Sequence, residues 1–226
     1  MRIIKLKAIL VVSILTLTAC SSDDDENKKE DDVDLRTEFV YCPDINHPHI
    51  IDMGDGGKWA CCNIGAINPT DYGDYIAWGE TGSKSSYTRT TYKHYANDST
   101  FKFIGVDISG TKYDAASSKW GGSWKMPTQS KVEALIANCS HEWTTFSGVT
   151  GMVFTSKDGN SIFMPAGGRI WTETLEDKNI KGGYWTSTLD PDDPKQTKAI
   201  ILNLKESKPG TTTSGRVAGR SIRPVQ

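Results

Sequence analysis

Short apolar runs broken by turn-forming residues constrain the fold of this chain more than any other sequence feature. Two such runs, at 152–156 and 161–164, are joined by Lys157-Asp158-Gly159-Asn160. The Asp-Gly pair favours the positive φ angles of a tight turn, so the segment is predicted to be a β-hairpin. Further strands are predicted where apolar runs lie between Gly, Asn, Asp and Pro, at 50–53, 58–64, 75–78, 184–188, 199–204 and 221–225.

Two short helices are predicted among these strands. One follows Pro127 with Thr128 as its N-cap, since its apolar positions Val132, Leu135, Ile136 and Cys139 have the spacing of one buried helix face. The other begins at Asp114 and carries Ala115 and Ala116. Because strands and helices do not alternate regularly, we expect an α+β fold with mainly antiparallel sheet.

The first residues have the pattern of a bacterial lipoprotein signal peptide. Basic Arg2, Lys5 and Lys7 precede an apolar run that ends in Leu17-Thr18-Ala19-Cys20. Residues 1–19 are therefore predicted to be a signal peptide and Cys20 the acylated first residue of the mature protein; the alternative is an ordinary secretory peptide. A membrane-spanning helix needs about 20 apolar residues, more than this run supplies.

Residues 20–36 are predicted to be an acidic, disordered tether, because the segment is too polar to offset the entropy lost on ordering. Serine and acidic residues directly after the cysteine resemble the export signal of Bacteroidetes surface lipoproteins, which implies an outer-membrane protein facing the cell exterior. A plain soluble spacer is the alternative reading.

The charge distribution argues against some partners. The chain has 26 Lys and Arg and 28 Asp and Glu, and residues 37–226 hold 20 of each sign. A domain with balanced charge lacks the basic surface that nucleic acid requires, so we expect no nucleic-acid partner. About 190 residues suit one domain, predicted to span 37–226.

Several motifs resemble the Fibrobacter succinogenes major paralogous domain, in order along almost the whole of 37–226. They include Ala77-Trp78-Gly79-Glu80 and Gly183-Tyr184-Trp185-Thr186-Ser187-Thr188. The remaining matching segments are 52–54, 58–66, 71–76, 113–116, 120–128, 162–168 and 219–225. The resemblance implies a C-type-lectin-like fold with no established activity, in which the first and last strands pair, here 50–53 beside 222–225.

Four cysteines remain after Cys20. Cys62 and Cys139 match positions where the family often has cysteine, and neighbouring residues on a strand point to opposite faces. These two considerations together suggest a Cys62–Cys139 disulfide in the core and a Cys42–Cys61 disulfide outside it. Buried free thiols are the alternative.

The sequence predicts a binding domain rather than an enzyme. No nucleophile elbow, P-loop, zinc-protease or dinucleotide motif occurs, and the calcium-binding motifs of C-type lectins are missing, so no metal and no cofactor is expected. Aromatic residues outside the paralogous pattern are the ligand-binding candidates: Trp143, Trp171, Tyr87 and Tyr92. We expect the ligand to be a glycan or a surface protein. An enzyme on the same fold and a purely structural envelope protein are the alternatives.

Overall fold

The computed structural model describes residues 49–97 and 100–226. The predicted signal peptide, the predicted lipidation site Cys20, the predicted tether and Cys42 lie outside the described residues. The strands are β1 (Ile50–Asp52), β2 (Lys58–Ala60), β3 (Tyr95–Asn97), β4 (Thr100–Phe101), β5 (Ser140–Phe146), β6 (Val149–Thr155), β7 (Ser161–Pro165), β8 (Arg169–Trp171), β9 (Thr174–Glu176), β10 (Gly182–Leu189), β11 (Lys198–Leu204) and β12 (Gly210–Gly215). The helices are α1 (Ala115–Trp120) and α2 (Gln129–Asn138), with a 3-10 turn at Gly54–Gly56.

Antiparallel pairing organises these strands, as the sequence predicts. One sheet has the order β5-β6-β7 and another β10-β11-β12, while β1-β2, β3-β4 and β8-β9 form two-stranded ribbons. The predicted hairpin is confirmed as β6 and β7, which begin pairing at Thr155 and Ser161. The α+β class with mainly antiparallel sheet is thus confirmed.

Both predicted helices form: α2 follows its predicted N-cap Thr128, and α1 begins directly after Asp114. The Thr128 hydroxyl accepts a hydrogen bond from the Lys131 amide, and α2 buries Val132 and Leu135. At α1 the fully buried Asp114 carboxylate accepts from the amides of Gly110, Ala116, Ser117 and Met126. One carboxylate therefore caps the helix and fastens it to two loops. No helix among the described residues has the length and apolar character needed to cross a membrane.

The C-terminal segment pairs differently from the expectation. Strand β1 pairs with β2 and not with 222–225. The C-terminal segment lies along the other edge of β2, where the Ala60 amide bonds to Pro224 and the Gln226 amide to Lys58. The connection between β1 and β2 is short, so these two strands pair with each other. The C-terminal segment therefore pairs with the other edge of β2.

The cysteines also depart from the predicted arrangement. Cys61 and Cys62 follow β2 in a bend instead of continuing the strand, and their sulfurs lie 3.8 Å apart. They therefore do not point to opposite faces. The structure has no Cys62–Cys139 disulfide. The Cys139 thiol packs at Met53 and Gly56, whereas Cys62 packs with Cys61 and Ala66 in a separate cluster. The Cys42–Cys61 pairing involves a residue that is not described.

Candidate functional site

Three arginines, Arg216, Arg220 and Arg223, lie within eight residues of one another in the sequence, and all three are at least nine-tenths buried. Arg216 and Arg223 are fully buried, and Arg220 has 8% of its surface exposed. Buried charges destabilise a fold unless they are paired or well hydrogen-bonded. The partners of each guanidinium therefore separate a structural role from a functional one.

Arg216 and Arg223 have the partners of structural residues. The Arg223 guanidinium donates to Asn63 Oδ1 and to the carbonyls of Ala60, Cys61 and Phe163. Arg216 donates to the Tyr92 hydroxyl and to two carbonyls, and it stacks 4.6 Å above the Trp78 ring. Each fastens loops together from inside the domain.

Arg220 differs from the other two arginines because its terminal nitrogens, Nη1 and Nη2, have no hydrogen-bond partner among the described residues. Its Nε donates to Ser214 Oγ at 2.9 Å, and its guanidinium lies 5.8 Å from the Trp185 ring centre. Among the described residues, no atom accepts a hydrogen bond from Nη1 or Nη2 and no carboxylate lies within ion-pair distance of them. A buried guanidinium with an open end is a candidate ligand-binding group.

A cleft of about 210 Å³ lies at this open end. It is lined by Gly168, Arg169, Asp177, Lys181, Gly182, Asn203 and Arg220. The ribbon β8-β9, the turn after β9, the adjoining ends of β10 and β11, and the segment after β12 supply these residues. The cleft is thus built where five parts of the fold meet.

Backbone hydrogen bonds hold these elements in place. Ile170 and Gly219 exchange two backbone hydrogen bonds, which places Arg220 next to β8. The Gly168 amide donates to the Lys181 carbonyl. Gly168 has φ +67°, and a Cβ atom there would lie 1.9 Å from the Glu176 carbonyl oxygen. Only glycine allows this close approach of β8 to the turn after β9.

The cleft carries more positive than negative charge. Arg169 bonds to Glu176 at 2.8 Å, and Lys181 lies 3.4 Å from Asp177. Counting these two carboxylates against Arg169, Lys181 and Arg220 leaves one positive charge without a partner. Burial, and secondly the nearby Arg169, lower the pKa of Arg220 to about 10. The guanidinium is therefore still charged at neutral pH.

The four predicted aromatic residues are in different environments. Trp171 lies on β8 beside the cleft with 40% of its surface exposed, and the Arg169 guanidinium is 5.4 Å from its ring centre. Trp143 is half-buried against the core. Of the four, Trp171 is the residue that the structure brings next to the cleft.

Tyr87 and Tyr92 are buried, which corrects the expectation that they face a ligand. The Tyr92 hydroxyl donates to the Trp78 carbonyl at 2.6 Å, and the Tyr87 hydroxyl donates to the Tyr75 carbonyl. Burial raises the pKa of the Tyr87 phenol. The Tyr87 ring packs against Gly219, directly before Arg220. Tyr87 thus supports the cleft from behind.

Sequence reasoning missed the polar residues of the cleft. Arg220 lies inside the Gly219-Arg220-Ser221 motif that carries the family resemblance, in a segment otherwise rich in small and apolar residues. Charged residues in such a segment are rarely buried without a reason, and this signal could have singled out the three arginines. Asn203 gave no comparable signal, although its side chain has no hydrogen-bond partner among the described residues.

A second cleft, of about 240 Å³, lies beside the chain end. Its lysines, Lys125 and Lys131, are exposed, and its hydroxyls are used locally: Ser109 bonds to the Met126 carbonyl and Thr128 caps α2. Unlike the cleft at Arg220, this second cleft has no buried charged side chain without a hydrogen-bond partner among its described lining residues. No cluster of three or more His, Cys, Asp or Glu that could hold a metal occurs in 49–97 and 100–226.

Comparison with protein-family models, with curated proteins and with solved structures finds no match for this chain. The function is therefore argued from the cleft and from the sequence.

Proposed function

We propose that this protein is a lipid-anchored outer-membrane protein that presents a non-catalytic binding domain to the cell exterior. The domain is proposed to be C-type-lectin-like and to belong to the Fibrobacter succinogenes major paralogous family, on the strength of the quoted motifs. Its ligand is a glycan or a protein on a neighbouring surface. The cleft at β8, with the open guanidinium of Arg220, is the observation that carries the binding role.

The composition of the cleft supports binding rather than turnover. Its lining supplies hydrogen-bond donors from Arg169, Lys181, Asn203 and Arg220. Glycoside hydrolysis uses two carboxyl groups flanking one bond, whereas Asp177 is the one carboxylate among the lining residues and lies beside Lys181. Donors around an accessible space suit the recognition of an oxygen-rich ligand.

Lipid anchoring through Cys20 is tested in the native host. We expect the wild-type chain and the Ser21→Ala control in the membrane fraction, and the Cys20→Ala chain in the soluble fraction, because stable attachment needs acyl chains. Protease added to intact cells should remove the domain. A Cys20→Ala chain that stays in alkali-washed membranes, or full protection from protease, would contradict the anchoring proposal.

Binding is tested with the full chain in a neutral detergent on a glycan array and against surface proteins. We expect retained ligands that the Arg220→Met chain no longer holds. Mass analysis of the retained glycans provides the contrast with an enzyme, since a binding domain leaves them intact. Cleaved products, or no ligand of either class, would overturn the proposal.

A further inference from the structure

We propose that Arg220 binds the carboxylate of an acidic sugar, of the hexuronic acid class, which enters the cleft beside β8. This inference rests on the proposed function and specifies the ligand class. It starts from a nearly buried side chain that lines a cleft and whose Nη1 and Nη2 bond to none of the described residues.

The shape of the open end favours a carboxylate. Arginine has five N–H donors in one plane, and Ser214 uses the one on Nε. Nη1 and Nη2 remain, side by side, at the edge that matches the two oxygens of a carboxylate. A neutral hydroxyl would use one donor and would add no negative charge to balance the guanidinium.

The charge of the cleft favours a ligand with a single negative charge. Arg169 is already paired with Glu176, and Lys181 with Asp177. One singly charged group balances Arg220, whereas a doubly charged phosphate would overcompensate. Sulfate esters also carry one charge and are tested separately below.

Two further residues favour a sugar over an acidic peptide. The Asn203 side chain lines the cleft with both donor and acceptor atoms available for hydroxyl groups. Trp171 stands two positions from Arg169 on β8, hence on the same face of the strand, and offers exposed aromatic surface of the kind that packs against a sugar ring. A volume of about 210 Å³ is below the size usual for drug-sized ligands and suits one ring.

Gly183 provides a way to move the guanidinium without removing its charge. Gly183 lies in β10, and a Cβ atom there would come 1.8 Å from Arg220 Nη1. In the Gly183→Ala chain the guanidinium must therefore shift. If Arg220 binds through its geometry, this variant loses affinity although every charge is kept.

The test measures binding of a defined oligouronate by the full chain in neutral detergent, using calorimetry. Probes are a trimer of glucuronic acid, its methyl ester, the corresponding neutral glucose trimer, a sulfated glucose trimer, an Asp-Glu peptide, sodium acetate and inorganic sulfate. We expect the acid trimer to bind about tenfold to a hundredfold more tightly than the ester or the neutral trimer, the range expected of hydrogen bonds to a charged group.

Variants assign this difference to Arg220. Arg220→Met and Gly183→Ala should both bring the acid trimer to the affinity of the ester. Arg220→Lys should recover part of the loss. Lys157→Met, which removes one positive charge in the exposed β6-β7 turn, should bind like the wild type. Circular dichroism establishes that each variant is folded.

The outcomes separate this inference from the proposed function. Equal binding of the acid and neutral trimers overturns the inference and leaves glycan binding intact. Tighter binding of the peptide or of the sulfated trimer overturns the uronate assignment. Binding of acetate and sulfate as tight as that of the trimer means an adventitious ion only. If no probe binds, and neither the glycan array nor the surface proteins yield a ligand, both proposals are wrong.

Discussion

Replacing Arg220 with methionine should stabilise the domain while it abolishes anion binding. Burial and Arg169 lower the pKa of Arg220 from 12.5 to about 10. Each tenfold change in proton affinity corresponds to about 1.4 kcal/mol, so the charged side chain costs the folded state about 3 kcal/mol. The sign follows because the folded domain binds this proton less tightly than the unfolded chain. The cost is present at every pH below about 10 and disappears between about 10 and 12.5.

Favourable contacts offset part of this cost. The hydrogen bond to Ser214 contributes about 1.5 kcal/mol, and the contact with Trp185 about 0.5 kcal/mol. Methionine reaches as far as the Nε position of arginine and keeps the apolar part of the side chain in place. The Arg220→Met chain should therefore gain about 1 kcal/mol in its free energy of unfolding at pH 7.

The assay is urea unfolding at pH 7 followed by tryptophan fluorescence, with Arg223→Met as the matched control. The same substitution at Arg223 leaves four oxygens without their donor and should cost at least about 3 kcal/mol. Opposite signs for two arginines three positions apart are the expected result. If Arg220→Met destabilises the domain by about 2 kcal/mol or more, Arg220 is a structural residue and the reasoning fails.

Two further substitutions and one labelling experiment test the surrounding structure. Asp114→Ala should lower the free energy of unfolding by about 3 kcal/mol, measured by urea unfolding, because four amides, two of them buried, lose their acceptor. An effect below about 1 kcal/mol would contradict this. Gly168→Ala should cost about 2 kcal/mol or more and weaken oligouronate binding, since its Cβ would overlap the Glu176 carbonyl; wild-type behaviour in both measurements would refute it. Burial raises the pKa of the Cys139 thiol and shields it from solvent. At pH 8 a thiol reagent should therefore modify Cys139 in urea but not in the folded chain, as measured by peptide mass mapping. Rapid labelling of Cys139 in the folded chain would contradict this packing.

Local signals in the sequence predicted the parts of the fold that depend on neighbouring residues. Thr128 and Asp114 cap the helices that follow them, and the turn at Gly159 joins the predicted hairpin. Strand β12 was missed because its threonine run does not alternate between apolar and polar residues. The strand predicted from Lys58 to Ile64 ends at Ala60, because the chain bends at Cys61 and Cys62. No turn-forming residue at these two positions indicates the bend.

The cleft could not be predicted because its chemistry depends on distant partners. In the sequence, Arg216, Arg220 and Arg223 are equivalent basic residues in one segment. They differ only through acceptors that the fold supplies, such as the carbonyls of Ala60 and Phe163 for Arg223. The aromatic residues were chosen by a local pattern as well, and the structure buries two of the four.

The backbone around the cleft supports the view that this is a built site. Among the described residues other than glycine, positive φ angles occur at Ser147, Thr172, Asp177, Asn179 and Gln196. Three of these five lie between 172 and 179, in the turns that flank β9. Strained residues persist only where neighbouring contacts hold them, and Asn179 Oδ1 accepts from the Tyr72 hydroxyl at 2.5 Å and from the Thr150 amide at 3.1 Å. The fold thus holds this turn in place beside the Arg220 guanidinium, whose burial disfavours its charge, an effect only partly offset by Asp177, and a ligand with one negative charge would reduce that burial cost further.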